Sequence, residues 1–134
     1  MVERETTDGV RIARLLSSEI HGHTRGALGS LAVVDADTDV EPTEFGAFAY
    51  GVERDGDGGR KRLADVYVHP DRAHLAFRVG LSTAVEVAER EGLRVRPKAA
   101  KPPQTLVFVE NGAEVKRALA VLRAVAAERL DEVG

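Results

Sequence analysis

Cysteine is absent from this sequence, which excludes disulfide staples, thiolate metal sites and a cysteine nucleophile together. The absence suits a reducing compartment. Lysine is scarce: Lys61, Lys98, Lys101 and Lys116 stand against fifteen arginines. Aromatic residues make up only 4%, few for the stacking platforms that nucleic-acid binders add to their charge. No stretch approaches the roughly 18 apolar residues of a membrane span. The opening Met1-Val2-Glu3-Arg4-Glu5 has neither the basic start nor the apolar run of a signal peptide. A cytoplasmic protein with no membrane partner is therefore expected. There is no excess of positive charge either. The chain has 22 acidic and 19 basic residues and a net charge of −3, so it has no global attraction to nucleic acid or anionic lipid.

The remaining composition is that of a globular protein. With 134 residues, 43% hydrophobic and 31% charged, the chain can bury one sizeable core and is too apolar for wholesale disorder. No repeat, low-complexity stretch or linker divides it, so residues 1–134 are read as one domain.

Periodicity gives the elements. Thr7 or Asp8 can cap a first helix whose stripe is Ile12, Leu15, Leu16 and Ile20, closing near His21-Gly22. Leu28 to Val34 reads as a buried strand, and an acidic loop follows. Phe45 to Glu53 alternates with Phe48, Tyr50 and Val52 on one face. Leu63 to Val68 alternates with Leu63, Asp65 and Tyr67 against Ala64, Val66 and Val68. Between them, Asp55-Gly56-Asp57-Gly58-Gly59 has the composition of a hairpin connection. After a turn at His69-Pro70-Asp71, a strand from His74 to Val79 completes an antiparallel meander.

Leu81 to Glu91 has helical spacing and stops at Gly92, with Val85-Glu86-Val87 also compatible with a strand. Leu93 to Arg96 forms a short strand, Pro97 to Pro103 a basic loop, and Gln104 to Val109 a strand of strong β-formers. The last helix is clearest. Asn111 and Glu114 make a capping-box pair, Val115, Leu119, Leu122 and Ala126 an apolar stripe, and Arg117, Arg123 and Arg129 the solvated side. The expected fold is a single α+β domain: an antiparallel meander of about four to six strands with an N-terminal helix and a long C-terminal helix packed on one face.

Four groups of residues could carry chemistry. Asp35, Asp37 and Asp39 follow a hydrophobic strand, where carboxylates converge on hard cations, but a calcium loop starting at Asp35 would need glycine at Val40 and glutamate at Gly46. His21 and His23 form a His-x-His pair, and His69 and His74 flank a turn, so imidazoles could meet Asp35 and Asp37 at a metal. A histidine near a helix C-terminus more often complements the helix dipole. The glycine-rich 55–59 segment lacks the Gly-Lys-Ser/Thr ending of a phosphate loop, and no Gly-x-Ser-x-Gly elbow singles out a serine nucleophile. Arg94, Arg96, Lys98 and Lys101 form the one cationic cluster, a candidate contact for an anion or nucleic acid.

Three stretches resemble known families. Asp35-Ala36-Asp37-Thr38 resembles the opening of the haloacid-dehalogenase phosphatase motif, but departs from it at Asp39, and the chain is too short for that family's parallel sheet and later Lys and Asp motifs. The stretch Phe45 to Phe77, especially Tyr67-Val68-His69-Pro70-Asp71-Arg72-Ala73-His74-Leu75-Ala76-Phe77, resembles the frataxin-like domain of the YdhG type, with an aromatic strand, a turn and a second strand before helical elements, and transfers no functional residue. The Asp35 to Glu41 run and the arginine-rich, Ala/Val/Gly/Asp-rich composition are similar to small proteins of unknown function from halophilic archaea, a resemblance that implies no activity.

A non-enzymatic binding or protein-interaction domain without a cofactor is the leading expectation. The surfaces open to a second copy are the sheet edge or the last helix. One alternative is a metal- or small-molecule-dependent enzyme using Asp35, Asp37 and the histidines. The other is a nucleic-acid accessory protein using Arg94 to Lys101, which the overall charge disfavours. The enzyme needs the aspartates beside histidines in a concave pocket; the accessory protein needs the basic cluster on one open face.

Overall fold

The computed structural model describes residues 5–23, 26–56 and 58–128. Helix α1 (Gly9–Gly22) is followed by a 3₁₀ turn (Ala27–Ser30) and strands β1 (Leu31–Val34), β2 (Ala47–Gly56), β3 (Gly59–Val68) and β4 (Ala73–Phe77). Then come α2 (Leu81–Arg90), β5 (Val95–Lys98), β6 (Gln104–Val109) and, after a second 3₁₀ turn at Gly112–Glu114, α3 (Val115–Ala126). The six strands form one antiparallel sheet in the order β1-β2-β3-β4-β6-β5. The α+β architecture is as expected, and the ambiguous Leu81–Glu91 segment is helical. Asp57 and Arg129, assigned from the sequence to the hairpin turn and the solvated helix side, lie outside the described residues. Among the described residues no helix is long and apolar enough to cross a membrane.

Each helix begins and ends for local reasons. Asp8 caps α1 by accepting the N–H of Arg11 at 3.1 Å. Asn111 accepts the N–H of Glu114 at 3.1 Å, while the Glu114 carboxylate accepts the N–H of Glu110, one residue earlier than in a strict capping box. At the far end of α3, the Arg54 guanidinium from β2 donates to the carbonyls of Ala126 (2.7 Å) and Glu128 (2.6 Å), supplying a cation where the helix leaves carbonyls unpaired.

One face of the sheet carries the core. Ile12, Leu16 and Ile20 of α1, Ala84 and Ala88 of α2, and Val115, Leu119, Leu122 and Val125 of α3 pack against Val52, Ala64, Val66, Leu75, Phe77 and Val107. Burying one Leu, Val or Phe of this kind contributes about 1.5–3 kcal/mol. The apolar stripe of α3 is thus consumed within the chain. The sheet edges, β1 and β5, are each four residues long, and β5 contains Pro97, which has no N–H to offer a further strand.

Four sequence readings change. Leu28 to Val34 is not one strand: Ala27–Ser30 curls into a 3₁₀ turn because the Ser30 hydroxyl donates to the Ala27 carbonyl at 2.7 Å and Gly29 N–H to Gly26, local bonds that compete with a ladder. Phe48 does not share a face with Tyr50 and Val52. A bulge at Ala49 places Phe48 opposite Tyr67 and Tyr50 opposite Val66, and one inserted residue exchanges the faces. A second bulge sends Leu63 into the core while Asp65 and Tyr67 stay on the other side. Finally, the four-stranded meander β1-β2-β3-β4 is as expected, and what changes is the strand beyond it. The chain passes through α2 to the outer strand β5 and returns as β6 between β5 and β4, and β5 takes in Pro97 and Lys98 from the expected loop.

Candidate functional site

The face away from the helices carries most of the polar chemistry. Residues directly opposite one another across the ladders share a face. One row reads Phe48, Tyr67, His74, Phe108; the next reads Gly51, Asp65, Ala76, Leu106, Arg96. No described helix covers these rows, yet Asp65 is 1%, His74 7% and Phe108 7% exposed. Side chains lying flat on the sheet bury them.

Over β2 and β3 the covering groups are arginines. Arg62 reaches Asp65 (2.5 Å), Asp35 (2.7 Å) and Glu53 (3.2 Å), and Arg78 donates to Asp65 through Nε at 2.8 Å. Burial works against charge on Arg62, but its hydrogen bonds to Asp65 and Glu53 outweigh that and hold the guanidinium above its ordinary value. Gly51 makes the room, since a β-carbon there would lie 2.5 Å from the Arg62 guanidinium. Both arginines of this half are paired with carboxylates.

Over β4, β5 and β6 the arrangement is different. His74 stacks on Tyr67 (centroids 5.0 Å, 20°) and meets Phe108 at 5.4 Å, while Arg72 lies 4.3 Å above the Phe108 ring. The turn between β3 and β4 brings His69 back so that its Nε2 is 2.8 Å from His74 Nδ1, and His69 Nδ1 is 2.9 Å from the Glu44 carbonyl. Gly9, at the first turn of α1, fixes that turn: its N–H donates to the Pro70 carbonyl, and a β-carbon on it would fall 1.9 Å from the His69 carbonyl oxygen.

Beside the histidines lies a cleft of about 470 Å³ lined by Phe45, His69, His74, Leu106 and Phe108, with Arg72, Arg96 and Lys98 as its cations against one acidic residue, Glu44. An adjoining cleft of about 230 Å³ shares Phe45, His74, Lys98 and Leu106 with it and adds Tyr67 and Gln104. Burial, then His69, Arg72 and Lys98, push the His74 imidazole down to about 4, so this ring is neutral at neutral pH. Phe45, 87% exposed, overhangs both spaces.

The four residues of the basic cluster separate. Arg96 and Lys98, two apart on β5, both point to the open face and line the larger cleft. Among the described residues neither has a carboxylate within salt-bridge distance. Arg94 instead approaches Glu110 at 3.6 Å, which Arg72 also approaches at 3.3 Å. Lys101 is exposed in the loop before Pro102 and lines neither cleft.

The aspartates and the His-x-His pair are not brought together. Asp35 is tied to Arg62. Asp37 donates its N–H to Ala49 and accepts from Asp39 N–H. His21 is exposed at the end of α1, and His23 caps it by donating its N–H to the Ile20 carbonyl. Among the described residues no group of three or more His, Asp or Glu could hold a metal ion. Asp37 does line a second concavity, about 330 Å³ between α1 and the loop after β1, along with Arg14, Ser17, Ser18 and Tyr50. Its floor is largely apolar, and the Tyr50 hydroxyl is already committed to the Ala13 carbonyl at 2.7 Å.

The sequence singled out Arg96 and Lys98, which line the larger cleft, and did not single out Arg72, Phe45 or Glu44, which line it too. The basic alternation Arg94, Arg96, Lys98 was a legible strand signal. Nothing local marked the others, which reach the cleft from the β3–β4 turn and the β1–β2 loop.

Over residues 1–133 the sequence matches DUF7993, a family of unknown function, and the chain belongs to that family. No curated protein and no solved structure matches it.

Proposed function

We propose that this member of a family without an assigned activity is a non-enzymatic binding domain that holds an anionic ligand on the open face of its sheet. One observation carries the reading: Arg96 and Lys98, which lack acidic partners among the described residues, converge with Arg72 on a cleft floored by His74, Leu106 and Phe108. Cations left uncompensated around a concave, partly apolar floor are a receptor for an organic anion.

Two features favour binding over catalysis. The Asp35 and Asp37 carboxylates stand apart from His69 and His74. His74, pushed down to about 4, is a weak base at neutral pH. The nucleic-acid alternative would use the same face, but Tyr67 and Phe108 are already covered by His74 and Arg72, leaving Phe45 as the free aromatic surface of the cleft.

Calorimetric titration with organic phosphates and carboxylates at low and high salt tests the reading. Saturable binding that weakens with salt and is lost in the Arg96→Glu/Lys98→Glu double variant is expected. Binding that survives the double charge reversal, or no binding by any of these anions, overturns it.

A further inference from the structure

The geometry points to a phosphomonoester as the group this cleft receives, its remaining P–O–H proton donated to His74 Nε2 while Arg96, Lys98 and Arg72 face its anionic oxygens. This rests on the anion-binding reading above and adds the kind of anion.

Proton positions carry the assignment, beginning at a backbone carbonyl. The Glu44 oxygen can only accept, so His69 Nδ1, 2.9 Å away, donates to it. With both rings uncharged the other nitrogen has no proton, and His69 Nε2 accepts. Its partner at 2.8 Å is His74 Nδ1, which therefore donates. That leaves a lone pair on His74 Nε2. The relay is built into the fold, because Gly9 sets the turn bearing His69 and the β1–β2 loop delivers the Glu44 carbonyl.

The lone pair faces the cleft. His74 Nε2 has no protein partner among the described residues, and no described side-chain nitrogen lacking a partner is sealed from solvent. His74 lines both adjoining spaces. The groups that face it are His69 and Arg72 from the β3–β4 turn, Tyr67 from β3, Phe108 from β6 and Lys98 from β5. Burial first, and then the cations Arg72 and Lys98, disfavour a second proton on the ring, so it stays an acceptor through the neutral range.

A site that joins cations to an acceptor selects an anion carrying its own donor. A phosphomonoester qualifies, since its second ionisation lies near pH 6 and a substantial fraction keeps one P–O–H. A sulfate ester or an internal phosphodiester has no such proton, and would set an oxygen lone pair against that of His74. The same logic separates this cleft from a general nucleic-acid surface. The internal phosphodiesters of a polynucleotide lack the P–O–H proton, and only a terminal phosphate supplies it. Beyond the phosphate, Leu106 and the exposed ring of Phe45 give an apolar body something to lie against.

Phenyl phosphate and phenyl sulfate, matched in shape, make the test at pH 6 by calorimetry with the full chain. One hydrogen bond to a charged group corresponds to a preference of at least about tenfold for the phosphate. The preference is expected to fall below about twofold in His74→Phe, which keeps a flat ring against Tyr67. Because that variant could be impaired in folding, long-range proton–nitrogen correlation spectra of the unaltered protein give a second readout: the His74 ring proton is expected on Nδ1, and a proton on Nε2 overturns the proposal. Equal affinity for the two esters, with both lost in Arg96→Glu/Lys98→Glu, overturns the phosphomonoester assignment alone. Failure of both to bind overturns the anion reading beneath it as well. Short oligonucleotides with a 5′-phosphate or a 5′-hydroxyl distinguish the source. Binding of only the phosphorylated strand supports a nucleic-acid terminus, and binding of neither, with phenyl phosphate bound, supports a small phosphorylated molecule. Equal binding of both strands overturns the proposal.

Discussion

Gly46 leaves room for the imidazole of His74: a β-carbon at position 46 would lie 3.2 Å from His74 Cε1, 3.2 Å from His69 Nε2 and 3.1 Å from the Tyr67 β-carbon. Gly46 also has φ of +101°, a conformation that L side chains rarely adopt. Two independent demands thus converge on glycine. Gly46→Ala is expected to cost about 1–3 kcal/mol from backbone strain and to part His69 from His74. Urea denaturation measures the first effect, and loss of the His74 Nδ1 proton signal reports the second.

His74 makes stability depend on pH in a defined direction. Its folded value, about 4, lies below the ordinary histidine value of 6.5, so between these limits the unfolded chain binds the extra proton. The contribution is fully present above pH 6.5 and is lost as pH falls toward 4, by ~3 kcal/mol for a shift of this size. In His74→Phe the stability difference between pH 7 and pH 4.5 should shrink by an amount of that order. An unchanged pH profile in the variant would show that His74 is not buried in its neutral form.

Phe45 is expected to behave as a ligand contact and not as a structural one. At 87% exposure it contributes little to the core, so Phe45→Ser should shift stability by no more than about 0.5 kcal/mol. The same change should weaken phenyl phosphate severalfold and leave inorganic phosphate unaffected, because only the former has a ring to lay against it. Parallel titrations with the two ligands read the difference.

Arg62 holds three carboxylates, Asp35, Glu53 and Asp65, and Asp65 is 1% exposed. Removing it leaves a buried charge with Arg78 as its remaining arginine. Arg62→Ala is expected to cost about 3 kcal/mol. Arg62→Lys should recover only part of that, since a single ammonium cannot serve three acceptors in the geometry of a guanidinium fork. Gly51→Ala should reproduce some of the loss by displacing the guanidinium. Thermal melts should rank Arg62→Ala as the least stable of the three variants, Arg62→Lys next and Gly51→Ala as the most stable.

Much of the fold could be read locally. The stripe Ile12, Leu16, Ile20, the stripe Val115, Leu119, Leu122, and the β-former run Gln104 to Val109 each specify an element, because helix and strand periods are properties of the chain itself. Arg96 and Lys98 were singled out by charge alone; their common face was missed because the strand was ended at Arg96 and Lys98 was given to the loop, whereas β5 runs through Lys98. The bulges at Ala49 and Leu63 were not legible, since each is a mismatch between two strands and neither strand records it alone. Each reverses the face of every residue beyond it, which is how a run read as Phe48, Tyr50, Val52 came to straddle the sheet.

The sequence by itself determined the class of the domain, its helices and most of its strands, which follow from short-range periodicity, and it marked the cationic cluster that contains Arg96 and Lys98. The tertiary structure alone decided that β6 inserts between β4 and β5, bringing Phe108 and Leu106 beside His74 and carrying Arg96 and Lys98 to the same cleft. It alone decided that Glu44, His69 and His74 form a line of hydrogen bonds. Which nitrogen of a histidine carries the proton depends on what the other nitrogen touches, and here that contact comes from segments 25 and 5 residues apart.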